Sequence, residues 1–175
     1  MCPTIWGHYI GVSNFYPDRL ADICLFEREI VPAVNQIETN PFNARYYDQE
    51  IAEKYGTKIM AWAPFGEGRN NMFTNETLTQ IGKKYNKSAA QVILRWLVQR
   101  GVIFAVKSTH KDRMEQNFDI FDFELSNEDM DTIKSLNTDD SLFFNHQNPE
   151  MVEWFSNMVI TRRQQQDASK EKKSW

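Results

Sequence analysis

Residues 9–15 read Tyr9-Ile10-Gly11-Val12-Ser13-Asn14-Phe15, YIGVSNF, an apolar run that closes on two short hydrogen-bonding side chains. Aromatic and β-branched residues followed by a Ser-Asn pair have the pattern of a strand, Tyr9 to Val12, that ends in a turn. Three later stretches repeat it: Ala33 to Glu38 (AVNQIE), Lys58 to Pro64 (KIMAWAP) and Val102 to Val106 (VIFAV). Helical patterns fill the intervals. Pro17 opens DRLADICLFEREI, where a missing N–H costs nothing in a first turn. YDQEIAEKYG runs into Gly56, a residue suited to the left-handed end of a helix. NETLTQIGKKYN precedes Ser88-Ala89-Ala90-Gln91, a capping-box spacing, and the helix it starts is apolar at Val92, Ile93, Trp96 and Leu97. Ser126 opens a last one, EDMDTIKSL, with acids in the first turn where the helix dipole favours them.

Short strands separated by helix-length connections predict βα units and a parallel sheet, because parallel strands cannot be joined by a tight hairpin. In such folds ligands bind beyond the carboxyl ends of the strands. The tips here are Ser13-Asn14, Gln36-Ile37-Glu38, Trp62-Ala63-Pro64-Phe65 and Lys107-Ser108-Thr109. Amides and hydroxyls pair with a planar carboxamide, an indole stacks on a heteroaromatic ring, and a lysine beside hydroxyls holds a phosphate. The combination suits a nicotinamide dinucleotide.

Composition narrows the classes. The chain has 175 residues, 41% apolar and 25% charged, with a formal charge of -4, too mild for a polyanion binder, so nucleic acid is not expected. Cys2 and Cys24 lack the spacing of a disulfide framework or a zinc site, and His8, His110 and His146 are scattered, so no metal is expected. No apolar run is long enough for a bilayer, and the first residues lack the features of a signal peptide; the expectation is a cytoplasmic protein without a membrane partner. After Leu136 an aromatic-rich loop with one short helix is expected. Residues 161–175 carry five basic and two acidic residues with few apolar ones and are expected to form a disordered tail.

Six stretches in order, IGVSNF, VNQIETNPF, AWAPFGEGRNN, SAAQVILRWLVQRG, VKSTHKDRMEQNFDIFDFELSNEDM and SLFFNHQNPEMVEWF, resemble the C-terminal half of the aldo-keto reductases, in particular their bacterial-type diketogluconate and glyoxal reductase-like branch. The resemblance implies an α/β fold, the C-terminal half of a (β/α)8 TIM-type barrel: four βα units over residues 9–160, with residues 1–8 unmatched. It implies NADPH-dependent reduction of aldehydes or ketones to alcohols. It places Ser13, Asn14 and Gln36 on the nicotinamide carboxamide, and Trp62 at the aromatic stacking position, usually a tyrosine. Ala63, Pro64, Phe65 and Gly66 would follow the pyrophosphate; Lys107, Ser108, Thr109 and Arg113 would hold the 2′-phosphate, with Gln116 and Asn117 near the adenine. Val106 departs from the proline that often precedes the lysine.

The resemblance also implies a catalytic aspartate, tyrosine, lysine and histidine upstream of the matched motifs, and none of the tyrosines has the family's tyrosine context. No catalytic residue is therefore assigned. A whole barrel takes about 250 residues, so a truncated chain is expected: one that binds NADPH and leaves the carbonyl substrate to the complete protein. A half-barrel exposes two strand edges, which suggests a complementing N-terminal half. Alternatively, a homodimer of half-barrels would form a non-catalytic NADPH-binding or interaction module.

Overall fold

Three serine and asparagine caps set the helix starts. Ser88 Oγ accepts from the Gln91 N–H at 3.3 Å while Gln91 Oε1 accepts from the Ser88 N–H at 2.9 Å, the reciprocal pair that the spacing predicts. Asn75 Oδ1 accepts from the Leu78 N–H and Ser126 Oγ from the Asp129 N–H, each at 3.1 Å. In chain order the elements are β1 (Gly11–Ser13), α1 (Pro17–Phe26), β2 (Val34–Glu38), α2 (Tyr46–Lys54), β3 (Lys58–Trp62), α3 (Glu76–Tyr85), α4 (Ala89–Gln99), β4 (Ile103–Phe104), α5 (Lys111–Phe118), α6 (Asn127–Lys134) and α7 (Pro149–Glu171). The computed structural model describes residues 9–26 and 31–171. Residues 1–8, the predicted helix end at 27–30 and the last four residues of the predicted tail lie outside the described residues.

The four strands form one parallel sheet in the order β1-β2-β3-β4, the βαβ arrangement that the alternation predicts. Ser13 stands opposite Gln36, Gln36 opposite Met60, and Met60 opposite Ile103. Side chains alternate across a strand, so one face carries Asn35, Ile37, Ile59 and Ala61, all buried. Against that face pack the apolar sides of the helices: Leu20 of α1, Leu78 and Ile81 of α3, Val92, Ile93, Trp96 and Leu97 of α4 and Ile133 of α6. Asn35 is a satisfied core amide, its Oδ1 accepting from the Phe15 N–H and its Nδ2 donating to Phe15 O. The opposite face carries Gln36, Met60 and Trp62, which keep partial exposure.

Residues 137–142 run back over the end of β2. Ala44 N–H donates to Asn137 Oδ1, Thr138 N–H to Phe42 O, Ser141 Oγ to Glu38 Oε2 and Leu142 N–H to Glu38 Oε1. Glu38 is 1% exposed; these bonds and one from Asn40 Nδ2 at 3.1 Å supply what a buried carboxylate requires.

The chain divides into two units, Met1–Leu142 and Phe143–Trp175. The second holds α7, and here the structure differs from the sequence reading. In place of one short helix and a disordered tail from residue 161, a single helix runs to Glu171. Pro149 stands at its first position, Asn148 Oδ1 accepts from the Glu150 N–H, and residues 150–171 contain neither proline nor glycine, so nothing local stops it. Phe144 packs edge-on against Phe155 and His146 within this unit. Among the described residues, no helix is long and apolar enough to cross a membrane.

Candidate functional site

At the carboxyl ends of β1, β2 and β3 four of the predicted residues meet. Trp62 Nε1 donates to Asn14 Oδ1 at 2.9 Å, Asn14 Nδ2 to Ser13 Oγ at 3.1 Å, and Ser13 Oγ to the Gln36 carbonyl oxygen at 3.2 Å. Asn14 has φ 57°, a left-handed conformation that asparagine tolerates better than most residues, and its N–H donates to Gln36 O at 2.9 Å. The strand tip is thereby folded back on itself, with the amide and hydroxyl held beside the indole.

From Trp62 the chain enters the turn Ala63-Pro64-Phe65-Gly66 and then an irregular 3-10 segment, Gly66–Asn71. Ala63, Glu67, Asn70 and Asn71 all have positive φ, as do Gly66 and Gly68. Conformations this sparsely populated by non-glycine residues cost about 1 kcal/mol or more each and cluster at ligand sites. Gly66 fits where a side chain would not: a Cβ there would come within 2.7 Å of Leu142 Cδ1 and 2.9 Å of Met72 Cε.

A second group surrounds a cavity of about 610 Å³ lined by Phe65, Lys107, Ser108, Thr109, Arg113, Gln116 and Asn117. All were predicted as site residues. The structure adds Phe73, the Ser88-Ala89-Ala90 start of α4 and His110 to its wall. The sequence marked Ser88 as a helix cap but gave no sign that the helix start faces a cavity; Phe73 and His110 carried no signal. Ser108 Oγ accepts from the His110 N–H at 3.1 Å and donates to His110 O at 3.2 Å, shaping the entry to α5. Lys107 and Arg113 are exposed, and among the described residues neither has a carboxylate within 4.0 Å. The cavity thus has two uncompensated cations, hydroxyls and amides on one side and the Phe65 and Phe73 rings, 5.4 Å apart, on another. Of the predicted residues, Ser13, Asn14, Gln36 and Trp62 form the strand-tip group, and Ala63, Pro64 and Gly66 lie on the turn that leads from it to Phe65.

Two tyrosines have a resolved electrostatic environment. Burial pushes the hydroxyls of Tyr16 and Tyr46 above the ordinary tyrosine range, against the opposing pull of Arg45 and Arg100 respectively. A general acid working near neutral pH needs a shift the other way. Among the described residues, no group of three or more His, Cys, Asp or Glu side chains is arranged to hold a metal ion.

A parallel sheet of four strands joined by helices, with amides, hydroxyls and an indole at its strand tips, defines an α/β protein of the barrel type. The sequence matches the Aldo/keto reductase family over residues 8–138, and the chain belongs to that family. It is 44% identical over 129 residues to aldose reductase B of Dictyostelium discoideum, covering 74% of this chain and 41% of that protein. It is 47% identical over 131 residues to the glyoxal reductase of Bacillus subtilis, covering 75% and 46%. Among solved structures, the Bombyx mori aldo-keto reductase in complex with NADP superimposes with a TM-score of 0.70 at 35% identity, covering 78% of this chain and 47% of that one. The chain therefore spans about half the length of the relatives that it matches, and its fold is a partial (β/α) barrel.

Proposed function

We propose that this chain binds NADPH and forms the coenzyme-binding part of a reductase that converts aldehydes or ketones to alcohols. The observation that carries the reading is the cavity with Lys107 and Arg113 on its wall and, among the described residues, no carboxylate within 4.0 Å of either. Both cations are exposed on the cavity wall, free to meet an anion, and a phosphate dianion suits a guanidinium and an ammonium better than a ribose hydroxyl does. The residues present fit the coenzyme chemically: cations and hydroxyls for a 2′-phosphate, Gln116 and Asn117 for an adenine edge, Gly66 for close approach by a pyrophosphate. An aromatic and amide group at Ser13, Asn14, Gln36 and Trp62 suits the pyridine ring. Bound there, the coenzyme would supply hydride. The chain's own residues would bind and orient it.

In this reading the 175 residues alone hold the coenzyme without turning over a carbonyl substrate, because the family's aspartate, tyrosine, lysine and histidine set has no counterpart among the matched motifs. Calorimetric titration of the full chain tests the reading. NADPH is expected to bind more tightly than NADH, and Lys107→Ala or Arg113→Ala each to weaken NADPH about tenfold while leaving NADH nearly unchanged, as befits one charge-assisted contact. Equal affinity for the two coenzymes, or carbonyl-dependent oxidation of NADPH by the purified chain, would overturn it.

A second reading rests on the outer strands. β1 and β4 are edges of the sheet, and the inward face holds Ile103 at 43% exposure. This supports a homodimer of half-barrels, or a complementing N-terminal half, as partner.

A further inference from the structure

Helix α5 carries Arg113, Gln116 and Asn117 to the cavity wall, yet it buries none of its own residues. Its placement therefore rests on its ends. Just beyond its C-terminus Ile120 is buried, but apolar packing is non-directional and does not fix how the helix is turned. The directional contacts come from residues around the start of α4. Lys87 Nζ donates to Asp119 Oδ2 and Asp122 Oδ2 at 2.8 Å each and to Asp119 O at 3.3 Å. Gln91 Nε2 donates to Asp119 O at 2.9 Å and to Asp119 Oδ2 at 3.3 Å. Asp119 caps the C-terminus of α5, where the helix dipole disfavours a carboxylate unless a cation joins it. Lys87 supplies that cation from a side chain only 8% exposed. Its own backbone is held against α3: Lys87 N–H donates to Gly82 O at 2.9 Å, and a Cβ on Gly82 would come within 2.3 Å of the Lys87 carbonyl oxygen. The next three residues, Ser88, Ala89 and Ala90, are themselves cavity wall, whereas Lys87 does not line the cavity.

We propose that Lys87 is a positioning residue that acts through Asp119: its ammonium clasps the end of α5 to the start of α4 and so sets where Arg113, Gln116 and Asn117 meet a ligand that Lys87 itself does not touch. The identity of that ligand rests on the coenzyme reading above; the clasp does not.

Two measurements on the full chain test it. Lys87→Met suits both, because methionine fills the nearly buried path while Asp119 and Asp122, whose side chains are exposed, stay hydrated without the ammonium. In the ligand-free protein, amide hydrogen exchange in this variant is expected to rise roughly threefold to tenfold at residues 114–119, as one end of the helix opens more often, and to stay unchanged in β2 and β3. An unmoved rate in α5, or the same rise in every element, overturns the clasp without reference to any nucleotide. The second measurement is calorimetry with NADPH and with 2′-phospho-ADP-ribose, which lacks the pyridine ring. Lys87→Met is expected to weaken both by a similar factor, roughly threefold to tenfold. Asp119→Asn, which keeps the shape of the cap and removes its charge, should do the same. The two exchanges together should lose no more than the larger single loss, because residues acting through one contact are not additive. Unchanged affinities, a loss confined to NADPH, or full additivity overturns the proposal. Failure of the unaltered chain to bind either probe overturns the coenzyme reading itself, and the exchange rates then decide the clasp alone.

Discussion

Asp129 shows how one residue can hold two helices and a loop together. It is 1% exposed, and its carboxylate accepts from Lys84 Nζ and the Tyr85 hydroxyl at 2.6 Å each and from Ser126 Oγ at 2.9 Å. Burial by itself pushes the carboxyl pKa upward. The hydrogen bonds from Lys84, Tyr85 and Ser126 outweigh it, and the net direction is below the usual carboxylate value. A group whose pKa is lower folded than unfolded contributes stability that is complete above the unfolded value, about 3.9, and is lost as pH falls through the folded one. Asp129→Asn removes the charge while keeping the shape. Urea unfolding at pH 7 is expected to show a loss of about 1–3 kcal/mol, the cost of leaving donors to a neutral acceptor. Below pH 4 the variant and the parent should converge. A difference that persists undiminished at pH 3 would mean that packing, and not the carboxylate, is responsible. Arg100 is the opposite case: burial between the Tyr46 and Trp96 rings, 4.2 and 4.4 Å from its guanidinium carbon, lowers its pKa to about 10.

At the scale of elements, the turn after β3 joins the two halves of the site. Gly66 has φ +54° and lies under Leu142 and Met72, so Gly66→Ala combines a left-handed alanine with two close contacts. The terminal methyl groups it would meet can shift, which leaves an expected cost of about 1–3 kcal/mol, read as a lowered thermal midpoint. NADPH affinity should fall with it, whereas Glu67→Gly, which relieves a positive φ next door, should raise the midpoint. How much of this was legible in the sequence depends on the kind of signal. Strand cores and capped helices announce themselves locally: Ser88 with Gln91, the apolar repeat through Trp96, and the strand tips all emerged within a residue or two. The irregular segment from Gly66 to Asn71 did not, because left-handed glutamate and asparagine follow from what they pack against, not from periodicity. Without it Phe73 could not be placed on the cavity. Helix α5 has no buried residue, hence no apolar stripe to betray its full length. Residues 161–171 have the composition of a solvated tail, yet good helix formers uninterrupted by proline or glycine prolong a helix that starts at Pro149. The residues proposed to hold the coenzyme were read from the sequence, and the structure separates them into two sets, one linked by hydrogen bonds through Trp62 and another around a cavity.

Over the whole molecule the decisive feature is a sheet of four parallel strands with a strand unpaired on each side. Parallel sheets occur with both faces covered, and within the unit that holds the sheet the described helices pack on one. The other presents Val34, Met60 and Ile103 beside Gln36. Tyr9, two residues before β1, and Leu25 and Phe26, at the end of α1, are exposed, Phe26 at 80%. Unpaired N–H and C=O groups beside exposed apolar side chains favour pairing with another chain. In a second copy related by a twofold axis parallel to the strands, β4 of one chain can lie beside β1 of the other, parallel as the sheet requires, and eight strands close a barrel. Light scattering is therefore expected to give a mass of at least twice the single chain's 20.6 kDa for the isolated protein. Ile103→Lys, which places a charge at the β4 edge without touching the helix-packed core, should shift it toward the single-chain mass with an unchanged helical circular dichroism signal. Mixing with a polypeptide that carries the family's first barrel half should compete with self-association, and carbonyl reduction should appear only in that mixture. A parent chain that stays at the single-chain mass across the concentration range would rule out the twofold barrel and leave the heterologous partner as the one to seek.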